Sequence, residues 1–332
     1  MLSALITVPP SRSASIRASA DFPLAVGPAM ISACRSASSL PCARPMSFYL
    51  TLIAAPGQLD PAVIARAVAA TSAASPVTLS PGEAVDLPCP AAPDPDALRA
   101  ALGDAPVDAV VTPAGNRRKR LLIADMDSTI VVGETLDELA HFAGVGDRVA
   151  AITARAMAGE IDFKGALRER VALLEGLNLA ALEQTWAATR MMPGAHELVA
   201  TMRRHGATTA LVSGGFTFFT ARVAAALGFD ENRANTLLDD GAKLLGRVEE
   251  PILDRTSKLE SLRELAAIYG LSTDDCLAVG DGANDLDMIQ AAGLGVAYHA
   301  KPIVAAAARV RIDHGNLRAL LFMQGYAATE FA

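Results

Sequence analysis

Four short groups of polar residues in this chain have the side chains needed for chemistry on an anion. The first is Asp125 and Asp127, two residues apart at the end of the apolar run LLIA. A carboxylate can attack an electrophile or bind a hard cation, and a second carboxylate beside it can transfer a proton. Paired acids at a turn are usually only solvated, so this pair alone predicts little.

The second and third groups also follow apolar runs. Ser213 and Gly214 come after TALV, where a hydroxyl and backbone N–H groups before a helix can hold an anion. Asp281, Asn284 and Asp285 lie in the segment GDGAND after CLAV. Glycines there permit a close backbone approach, and the acids could bind a hard cation through oxygen.

The fourth group is Lys258, which follows Thr256, the predicted N-cap of the helix TSKLESLREL. A lysine in a first helical turn usually faces solvent. Lys258 lies between the second and the third group, and the ordered set DMDST, SGG, an isolated Lys and GDGAND, at the ends of successive predicted strands, is unlikely to arise by chance. Ligands of open α/β sheets bind beyond the carboxyl ends of the strands, so the four groups together predict one site.

The elements that must position this site alternate between two patterns. The apolar runs RLLIAD, TTALVS, CLAVGD, LGVAY and RVRI are separated by segments with helical spacing. This alternation predicts an α/β fold, in which a doubly wound, Rossmann-like parallel sheet carries helices on both faces. Residues from about 135 to 190 show helical spacing and predict a helical cap insert. The segment ANTLLDDGAKLLGRV predicts a hairpin.

A different pattern precedes this part of the chain. Residues 46–115 contain a predicted strand, SFYLTLIAA, a helix, DPAVIARAVAAT, and, after a Pro- and Gly-rich stretch, a second helix and strand. This order predicts a small α+β module. Residues 114–119 predict a linker whose basic side chains are solvated.

The first 45 residues are rich in Ser, Ala, Arg and Pro and contain a single acid, Asp21. They predict a disordered leader, or a start of translation assigned too early, with Met46 as the true beginning. A faint likeness to a targeting peptide is interrupted by Asp21 and two prolines.

Composition excludes several classes of protein. The 332 residues are 52% hydrophobic and carry a net charge of −7, which argues against binding to nucleic acid. No uncharged apolar stretch reaches the roughly 18 to 20 residues of a membrane span. The four cysteines lie apart, without zinc-ligand spacing, and favour a reduced, cytoplasmic protein. A homodimer is compatible with these data, and the sequence does not set the oligomeric state.

The four groups match, in order, the motifs of the haloacid dehalogenase superfamily, from about Lys119 to the C-terminus. The form DMDST with Glu134 nine residues after Asp125, FKGALRERV in the insert, SGGF and GDGANDLDM resemble the phosphoserine phosphatase family within it. The resemblance implies a phosphatase over residues 116–332 that hydrolyses O-phosphoserine in the last step of serine synthesis. Residues 46–115 resemble more loosely the ACT-like, amino-acid-binding region of some bacterial members.

The resemblance also implies a role for each polar group. Asp125 would be the nucleophile that carries the phosphoryl group, and Asp127 the general acid and then the general base. Mg²⁺ would be held by the Asp125 side chain, the Asp127 backbone carbonyl and the Asp281 side chain, with Asp285 as an orienting residue behind them.

Charge neutralisation and substrate choice fall to further residues by the same resemblance. Lys258, with Ser213 and Gly214, would neutralise the phosphate. Glu134 would meet the substrate ammonium, and Arg170 would bind its carboxylate through two parallel hydrogen bonds.

Three more positions would contact the substrate according to this resemblance. Asn284 would touch the phosphate or the ester oxygen, and Met157 and Phe163 would pack over the substrate.

Each of these roles has a simpler alternative. Arg170 could instead form an ion pair with Glu169 or Glu175 on its own helix, and Glu134 could be a solvated loop acid. Asn284 could only hold its own turn. Apolar residues at helical spacing, such as the two cap positions, usually belong to a core.

Two other functions remain open from the sequence. The same chemistry could act on another small phosphomonoester, or transfer the phosphoryl group to an acceptor. The chain could also be a phosphoaspartate signalling or sensing protein with incidental turnover. Asp127 argues against the second, because an acid two residues after the nucleophile assists rapid hydrolysis.

Overall fold

The computed structural model describes residues 47–332, so the predicted leader lies outside the described residues. Residues 48–113 form a β-α-β-β-α-β unit with an antiparallel sheet in the order β2-β3-β1-β4. Asp60 and Asp94 cap its two helices by accepting backbone N–H bonds, and a proline follows each cap. The bounds are β1 Phe48–Ile53, α1 Pro61–Thr71, β2 Val77–Ser80, β3 Ala84–Cys89, α2 Pro95–Leu102 and β4 Asp108–Pro113.

Two strands of this module were missed by the sequence reading, which treated their residues as a Pro- and Gly-rich stretch. Strands β2 and β3 form a hairpin around Gly82, whose φ is +67°. Pro81 lies in the turn, and Pro88 lies beyond the segment of β3 that pairs with β2. Pro88 still pairs with Tyr49 of β1, but past the end of β2 its missing N–H removes no bond to that strand. Prolines at such positions and at turns are compatible with strands, so their number obscured the hairpin. The ACT-like identity of the module stays a prediction.

The prediction that basic residues of the 114–119 segment are solvated is wrong for Arg117. Its guanidinium donates to both carboxylate oxygens of Asp86, at 2.6 and 2.7 Å, and to Thr51, and it stacks on the Tyr49 ring. It also donates to the backbone oxygen of Met323 near the C-terminus. Arg117, Asp86 and Thr51, here called the interface cluster, therefore join the module to the remainder of the chain.

The predicted parallel sheet is confirmed. All five of the expected strands are present, and the order of the six-stranded sheet is β12-β11-β10-β5-β6-β7. The bounds are β5 Leu121–Ala124, β6 Thr208–Phe216, β7 Glu231–Asn235, β10 Cys276–Gly280, β11 Leu294–Tyr298 and β12 Val310–Ile312. The flanking helices are α7 Ala195–Arg204, α8 Thr217–Leu227, α9 Arg255–Ile268, α10 Leu286–Ala291, α11 Pro302–Ala307 and α12 Ala319–Phe322.

The edge strand β7 was not predicted. Its sequence, ENRAN, has no apolar run, because an edge strand with one covered face needs few apolar side chains. Strand β6 also continues through the predicted turn SGG to Phe216, which pairs with Asn235 after a shift in register. The predicted hairpin is present as β8 Leu237–Asp239 and β9 Leu244–Val248.

Four helices occupy the insert between β5 and α7: α3 Thr135–Phe142, α4 Gly146–Met157, α5 Phe163–Ala172 and α6 Ala180–Ala188. The loop between α5 and α6 is bonded to the hairpin, since Gly176 N donates to Leu244 O and Leu244 N donates to Leu177 O. Helix α6 carries Trp186, which is half-buried against the main core. The insert is thus attached to the hairpin as well as to its two chain ends.

The main core packs apolar side chains of the parallel sheet against the helices on its faces, and a separate cluster fills the module. Within residues 47–332, no helix combines the length and the apolar character needed to cross a bilayer.

Candidate active site

The polar groups meet at the carboxyl edge of the parallel sheet. Asp125 directly follows β5, and its backbone N–H donates to Val279 O of the neighbouring strand β10 at 3.0 Å. Asp281 follows β10 itself. The parallel pairing of β5 with β10 therefore brings Asp125 beside Asp281, as the strand-end argument predicted.

Lys258 lies at the centre of this site and is 2% exposed. Its Nζ is 2.6 Å from Asp125 Oδ1 and 2.6 Å from Asp285 Oδ1. Helix α9 presents it there from its first turn, although the N-cap is Asp254 and not Thr256. Asp254 accepts the backbone N–H of Thr256, and the Asp254 N–H donates to Ser257 Oγ. Lys258 is buried against Asp125 and Asp285 and does not face the solvent.

The charges around Lys258 do not balance. Burial would lower the pKa of Lys258, but the charges of Asp125 and Asp285 outweigh it and raise the pKa, so the ammonium stays protonated. Burial, followed by the charge of Asp285, raises the pKa of Asp125 well above its ordinary value, and Lys258 opposes both. One buried ammonium therefore faces more carboxylates than it can neutralise.

Asp125, Asp281 and Asp285 each place a carboxylate oxygen within 4.8 Å of the others. We call these three acids and Lys258 the carboxylate cluster. Three converging oxygen donors suit a hard divalent cation, and burial raises the pKa of Asp281 as it does that of Asp125. The cluster therefore fits a metal ion both by its donor atoms and by its surplus of negative charge.

Asp127 has a different set of partners from Asp125. Its Oδ1 accepts the backbone N–H of Thr135 at 2.8 Å, and its Oδ2 accepts the Ser213 hydroxyl at 3.3 Å. Burial raises the pKa of Asp127, opposed by these hydrogen bonds. An acid with a raised pKa and neutral donors can hold a proton and release it, as general acid–base chemistry requires.

The turn after β5, which carries Asp125 and Asp127, has a fixed backbone conformation. Ser128 adopts a left-handed backbone conformation, with φ +56°, and its N–H donates to Gly133 O at 2.9 Å. Its hydroxyl donates to Glu134 Oε1 at 3.0 Å. A non-glycine residue in this region is uncommon and is held by its surroundings, so the turn is a fixed part of the site.

Glu134 at the start of the insert and Arg170 on α5 lie close enough for their charges to interact, and we call the region around them the mouth of the site. Glu134 precedes α3, and desolvation raises its pKa, with the charge of Asp127 adding to the effect. Desolvation lowers the pKa of Arg170, while the charges of Asp137 and Glu134 act in the opposite direction. The pKa of each residue therefore depends on the charges of nearby acids as well as on burial.

The alternative in which Arg170 pairs with an acid on its own helix is not what the structure has. Glu169 pairs instead with Arg155, at 2.8 Å. Among residues 47–332, no carboxylate lies within 4.0 Å of the Arg170 guanidinium, which is half-buried and donates only to Ala166 O. Arg170 thus has donors available for a bound anion.

Gly214 lies directly beneath Phe163 of the insert. A methyl group on Gly214 would lie 3.1 Å from the Phe163 ring, and one on Gly215 would lie 2.9 Å from Asp127 Oδ2. The glycines therefore allow both a close lid and a close carboxylate. Met157 ends α4, and its side chain lies outside what the structure describes.

The glycines of the GDGAND segment have no side chains, and neighbouring polar groups occupy the space that those side chains would need. The carboxyl group of Asp285 occupies the place that a side chain on Gly280 would need, and the Asn284 amide oxygen does the same above Gly282. Asp285 also accepts the Gly282 N–H at 2.9 Å. Asn284 therefore covers its own turn, at the half-buried edge of the site.

The sequence reading missed two residues of the site. Lys301 Nζ is 3.6 Å from Asp281 Oδ2, and Lys301 follows the predicted strand LGVAY, so the strand-end rule could have found it. Asn235 is buried, donates to Gly214 O at 2.9 Å and accepts the Leu253 N–H at 2.7 Å. It lies in the unpredicted strand β7, and no sequence signal indicated it.

The model of the haloacid dehalogenase-like hydrolase family matches residues 122–290. The chain belongs to the haloacid dehalogenase-like hydrolases. The matched residues begin in β5 and end in α10, so they include all four acids of the two strand ends and Lys258. The superfamily resemblance and its expected fold are confirmed.

Known members of this hydrolase family resemble the chain in sequence. It is 44% identical over 233 residues to a phosphoserine phosphatase of Streptomyces coelicolor, covering 70% of this chain and 56% of that protein. The chain spans 52–59% of the length of three such curated relatives.

Two solved structures resemble it as well. One, a probable phosphoserine phosphatase from Vibrio cholerae in unliganded form, has a TM-score of 0.72 at 32% identity and covers 86% of this chain and 88% of that one. The other, a phospho-aspartyl intermediate analogue of phosphoserine phosphatase, has a TM-score of 0.58 at 40% identity and covers 62% of this chain and 98% of that one.

Proposed function

We propose that this hydrolase is a phosphoserine phosphatase that releases phosphate from O-phospho-L-serine through a phosphoaspartate on Asp125. The observation that carries the proposal is the contrast between two acids in one cleft. Asp125 contacts the Lys258 ammonium at 2.6 Å, whereas Asp127 contacts only neutral donors. The Lys258 ammonium favours the anionic, nucleophilic form of Asp125 against the burial that raises its pKa, and Asp127, with neutral donors only, is suited to carry a proton.

In the proposed reaction, Asp125 attacks phosphorus and the bond from phosphorus to the serine oxygen breaks. Asp127 gives its proton to that oxygen. Water then attacks phosphorus and gives a proton to Asp127, and the bond from phosphorus to the Asp125 oxygen breaks. This step releases phosphate and restores both acids. Lys258, the Ser213 hydroxyl and the Gly214 backbone offset the charge of the phosphoryl oxygens.

The resident metal ion in this proposal is Mg²⁺. The side chains of Asp125 and Asp281 and the backbone carbonyl of Asp127 would hold it, with Asp285 orienting the others through Lys258 and Gly282. When bound, the ion would neutralise the phosphate and so permit an anionic nucleophile to approach. The all-oxygen donor set and the unbalanced charge of the carboxylate cluster support this choice.

Substrate choice is assigned to the mouth of the site. Glu134 would accept from the substrate ammonium, and Arg170, which has no carboxylate partner among the described residues, would bind the substrate carboxylate. Phe163 would close over the substrate above Gly214, and Asn284 would contact the phosphate or the ester oxygen. The family resemblance assigns Met157 to packing over the substrate as well. The names of the relatives support the same substrate class.

A panel of phosphomonoesters tests the function. We expect kcat/KM for O-phospho-L-serine to exceed that for O-phosphoethanolamine, which lacks the carboxylate, by at least about tenfold, the value of a lost charged hydrogen bond. Equal values for the two compounds would leave the phosphatase chemistry but refute this substrate. A phosphoenzyme that persists for hours would favour the signalling alternative.

The proposal extends to the cellular setting and the assembly of the protein. Cys89 and Cys276 are both buried free thiols, which supports a cytoplasmic protein. A homodimer is part of the same proposal, and its mass in solution would test it.

A further inference from the structure

Lys301 is a cation at the active site that the proposed reaction does not use. Its backbone N–H donates to Asp281 O at 3.1 Å, and its Nζ lies 3.6 Å from Asp281 Oδ2. Its charge also lowers the pKa of Glu134, although desolvation dominates there. Lys301 is 56% exposed at its side chain, so its position depends on the backbone that carries it.

That backbone is held in an unusual conformation. His299, two residues earlier, has φ +43°, which is uncommon for a residue with a side chain. Its N–H donates to Ile312 O at 2.8 Å, and its ring Nε2 is 2.9 Å from Gly315 O. Because a carbonyl oxygen can only accept, Nε2 carries the proton in this contact. The loop of residues 313–315 therefore fixes the segment that leads to Lys301.

The 313–315 loop is in turn held by the N-terminal module. Asp108, the first residue of β4, is 5% exposed and accepts three successive backbone N–H groups. The distances are 2.8 Å from Asp313, 3.2 Å from His314 and 2.7 Å from Gly315. A buried carboxylate that satisfies three backbone donors orders the loop strongly, because losing it would leave those donors unpaired.

We propose that Asp108 is a positioning residue for the active site: it fixes the 313–315 loop, the loop fixes His299, and His299 places the Lys301 ammonium beside Asp281. The route consists of consecutive hydrogen bonds and two short chain segments, which is a physical connection between the two regions. The N-terminal module then contributes to the charge balance of the site without touching the substrate.

Lys301 has two opposite electrostatic effects in this arrangement. Beside Asp281 it repels an incoming cation, and at the mouth it attracts a phosphate dianion. Removing its charge should tighten Mg²⁺ binding and raise the KM for a phosphomonoester, each by about threefold to tenfold for a half-exposed charge. A residue with a merely structural role would not move these two quantities in opposite directions.

The first test measures order directly and does not depend on the proposed activity. Hydrogen exchange is followed in the full chain for the wild type and for Asp108→Asn. We expect the amides of residues 299–302 to exchange at least about tenfold faster in Asp108→Asn, since an amide cannot replace a carboxylate that accepts three N–H groups. Glu83→Gln is the matched control. Glu83 is another buried acid of the module, paired with Arg318 at 2.9 Å, and its loss should leave residues 299–302 unchanged.

The second test is a double-mutant cycle with Lys301→Met, read out by Mg²⁺ titration calorimetry and by KM. Asp108→Asn should shift Mg²⁺ affinity in the same direction as Lys301→Met, and the double variant should match Lys301→Met alone. Should Asp108→Asn not fold, His299→Asn replaces it, because Asn tolerates the left-handed backbone but removes the ring contact with Gly315.

Two results would overturn the proposal: unchanged exchange at residues 299–302, or effects on Mg²⁺ affinity that add in the double variant. The kinetic reading rests on the proposed phosphatase function, whereas exchange and Mg²⁺ binding do not. A chain that fails to hydrolyse phosphoserine but shows the expected exchange and metal coupling would refute that function and keep Asp108 as a positioning residue.

Discussion

The carboxylate cluster and the interface cluster are both buried groups of charge, but they differ in how completely the charges are paired. In the interface cluster, one guanidinium meets one carboxylate through two hydrogen bonds and also has neutral acceptors and a ring beneath it. In the carboxylate cluster, Lys258 faces Asp125 and Asp285 at once, with Asp281 nearby.

A fully paired and an unbalanced group of buried charges have different consequences for a protein. A fully paired buried ion pair holds two regions in one geometry, although replacing both partners by apolar residues is often tolerated. An unbalanced group opposes folding until a ligand of the missing charge arrives. The interface cluster therefore holds the module against the remainder of the chain, and the surplus negative charge of the carboxylate cluster suits it to binding a cation.

The largest effect should come from Asp125, the proposed nucleophile. Asp125→Asn should lower kcat for phosphoserine by at least about 10³-fold, because loss of a covalent nucleophile removes the reaction path. Its melting temperature should stay near that of the wild type, since the carboxylate that it removes is poorly neutralised. Stopped assays of phosphate release and thermal unfolding measure the two quantities. Loss of activity together with a collapse of stability would contradict the division between the two clusters.

Arg117→Met should show the reverse pattern. It leaves Asp86 buried without its partner, which should lower the free energy of unfolding by about 3 kcal/mol. Denaturant unfolding measures this, and kcat per folded molecule should change little. The neighbouring Arg118 is the control, because its ion pair with Glu330 is solvent-exposed and Arg118→Met should cost under about 1 kcal/mol.

Metal binding should offset the destabilisation of the fold by the unbalanced negative charge of the carboxylate cluster. At a Mg²⁺ concentration of about 100 times Kd, the wild type should gain about 2.7 kcal/mol. Asp281→Asn should lose this gain while unfolding at a higher temperature than the metal-free wild type. Thermal unfolding of both proteins with and without Mg²⁺ measures these effects. If metal-free Asp281→Asn were less stable than the metal-free wild type, the cluster would stabilise the fold.

The stability difference between metal-free Asp281→Asn and the metal-free wild type should depend on pH. Burial raises the pKa of Asp281 above its ordinary value of 3.8. A carboxyl with a raised pKa binds its proton more tightly in the folded chain, so it lowers stability as pH rises above about 4 through the raised value. The advantage of metal-free Asp281→Asn over the wild type should therefore be absent near pH 4 and grow toward pH 7.

The smallest effect should lie at the mouth of the site. Arg170→Met should raise the KM for phosphoserine about tenfold, as expected for a lost charged hydrogen bond, with little effect on kcat. O-phosphoethanolamine, which has no carboxylate, should show no change. An equal rise in KM for both compounds would show that Arg170 binds the phosphate and not the substrate carboxylate.

The sequence predicted the site better than it predicted the structure around it. Asp125 and Asp281 were expected together because each follows an apolar run in a parallel α/β pattern, and the carboxyl ends of such strands share one edge of the sheet. Lys258 follows no apolar run and was expected there from its place in the order of the four groups. Strand β7 and the β2–β3 hairpin gave no such signal, since an edge strand and a Pro-rich hairpin lack apolar runs. Asn235, which lies on β7, was missed for the same reason.

Contacts that depend on long-range packing also escaped prediction. Arg117 reads as part of a charged linker, and only the docked module supplies the Asp86 carboxylate and the Tyr49 ring that bury it. The cap of α9 moved from Thr256 to Asp254, because either residue type suits the position and the fold selects between them. The sequence indicates what a residue can do, and packing decides which of its options is used.

Trp186 offers an optical view of the insert. It is the sole tryptophan of the chain and lies on α6, between the loop bonded to the hairpin and the return to the sheet. Intrinsic fluorescence therefore reports on this one helix without an introduced label. Rapid mixing with substrate can then time any movement of the insert separately from the release of phosphate.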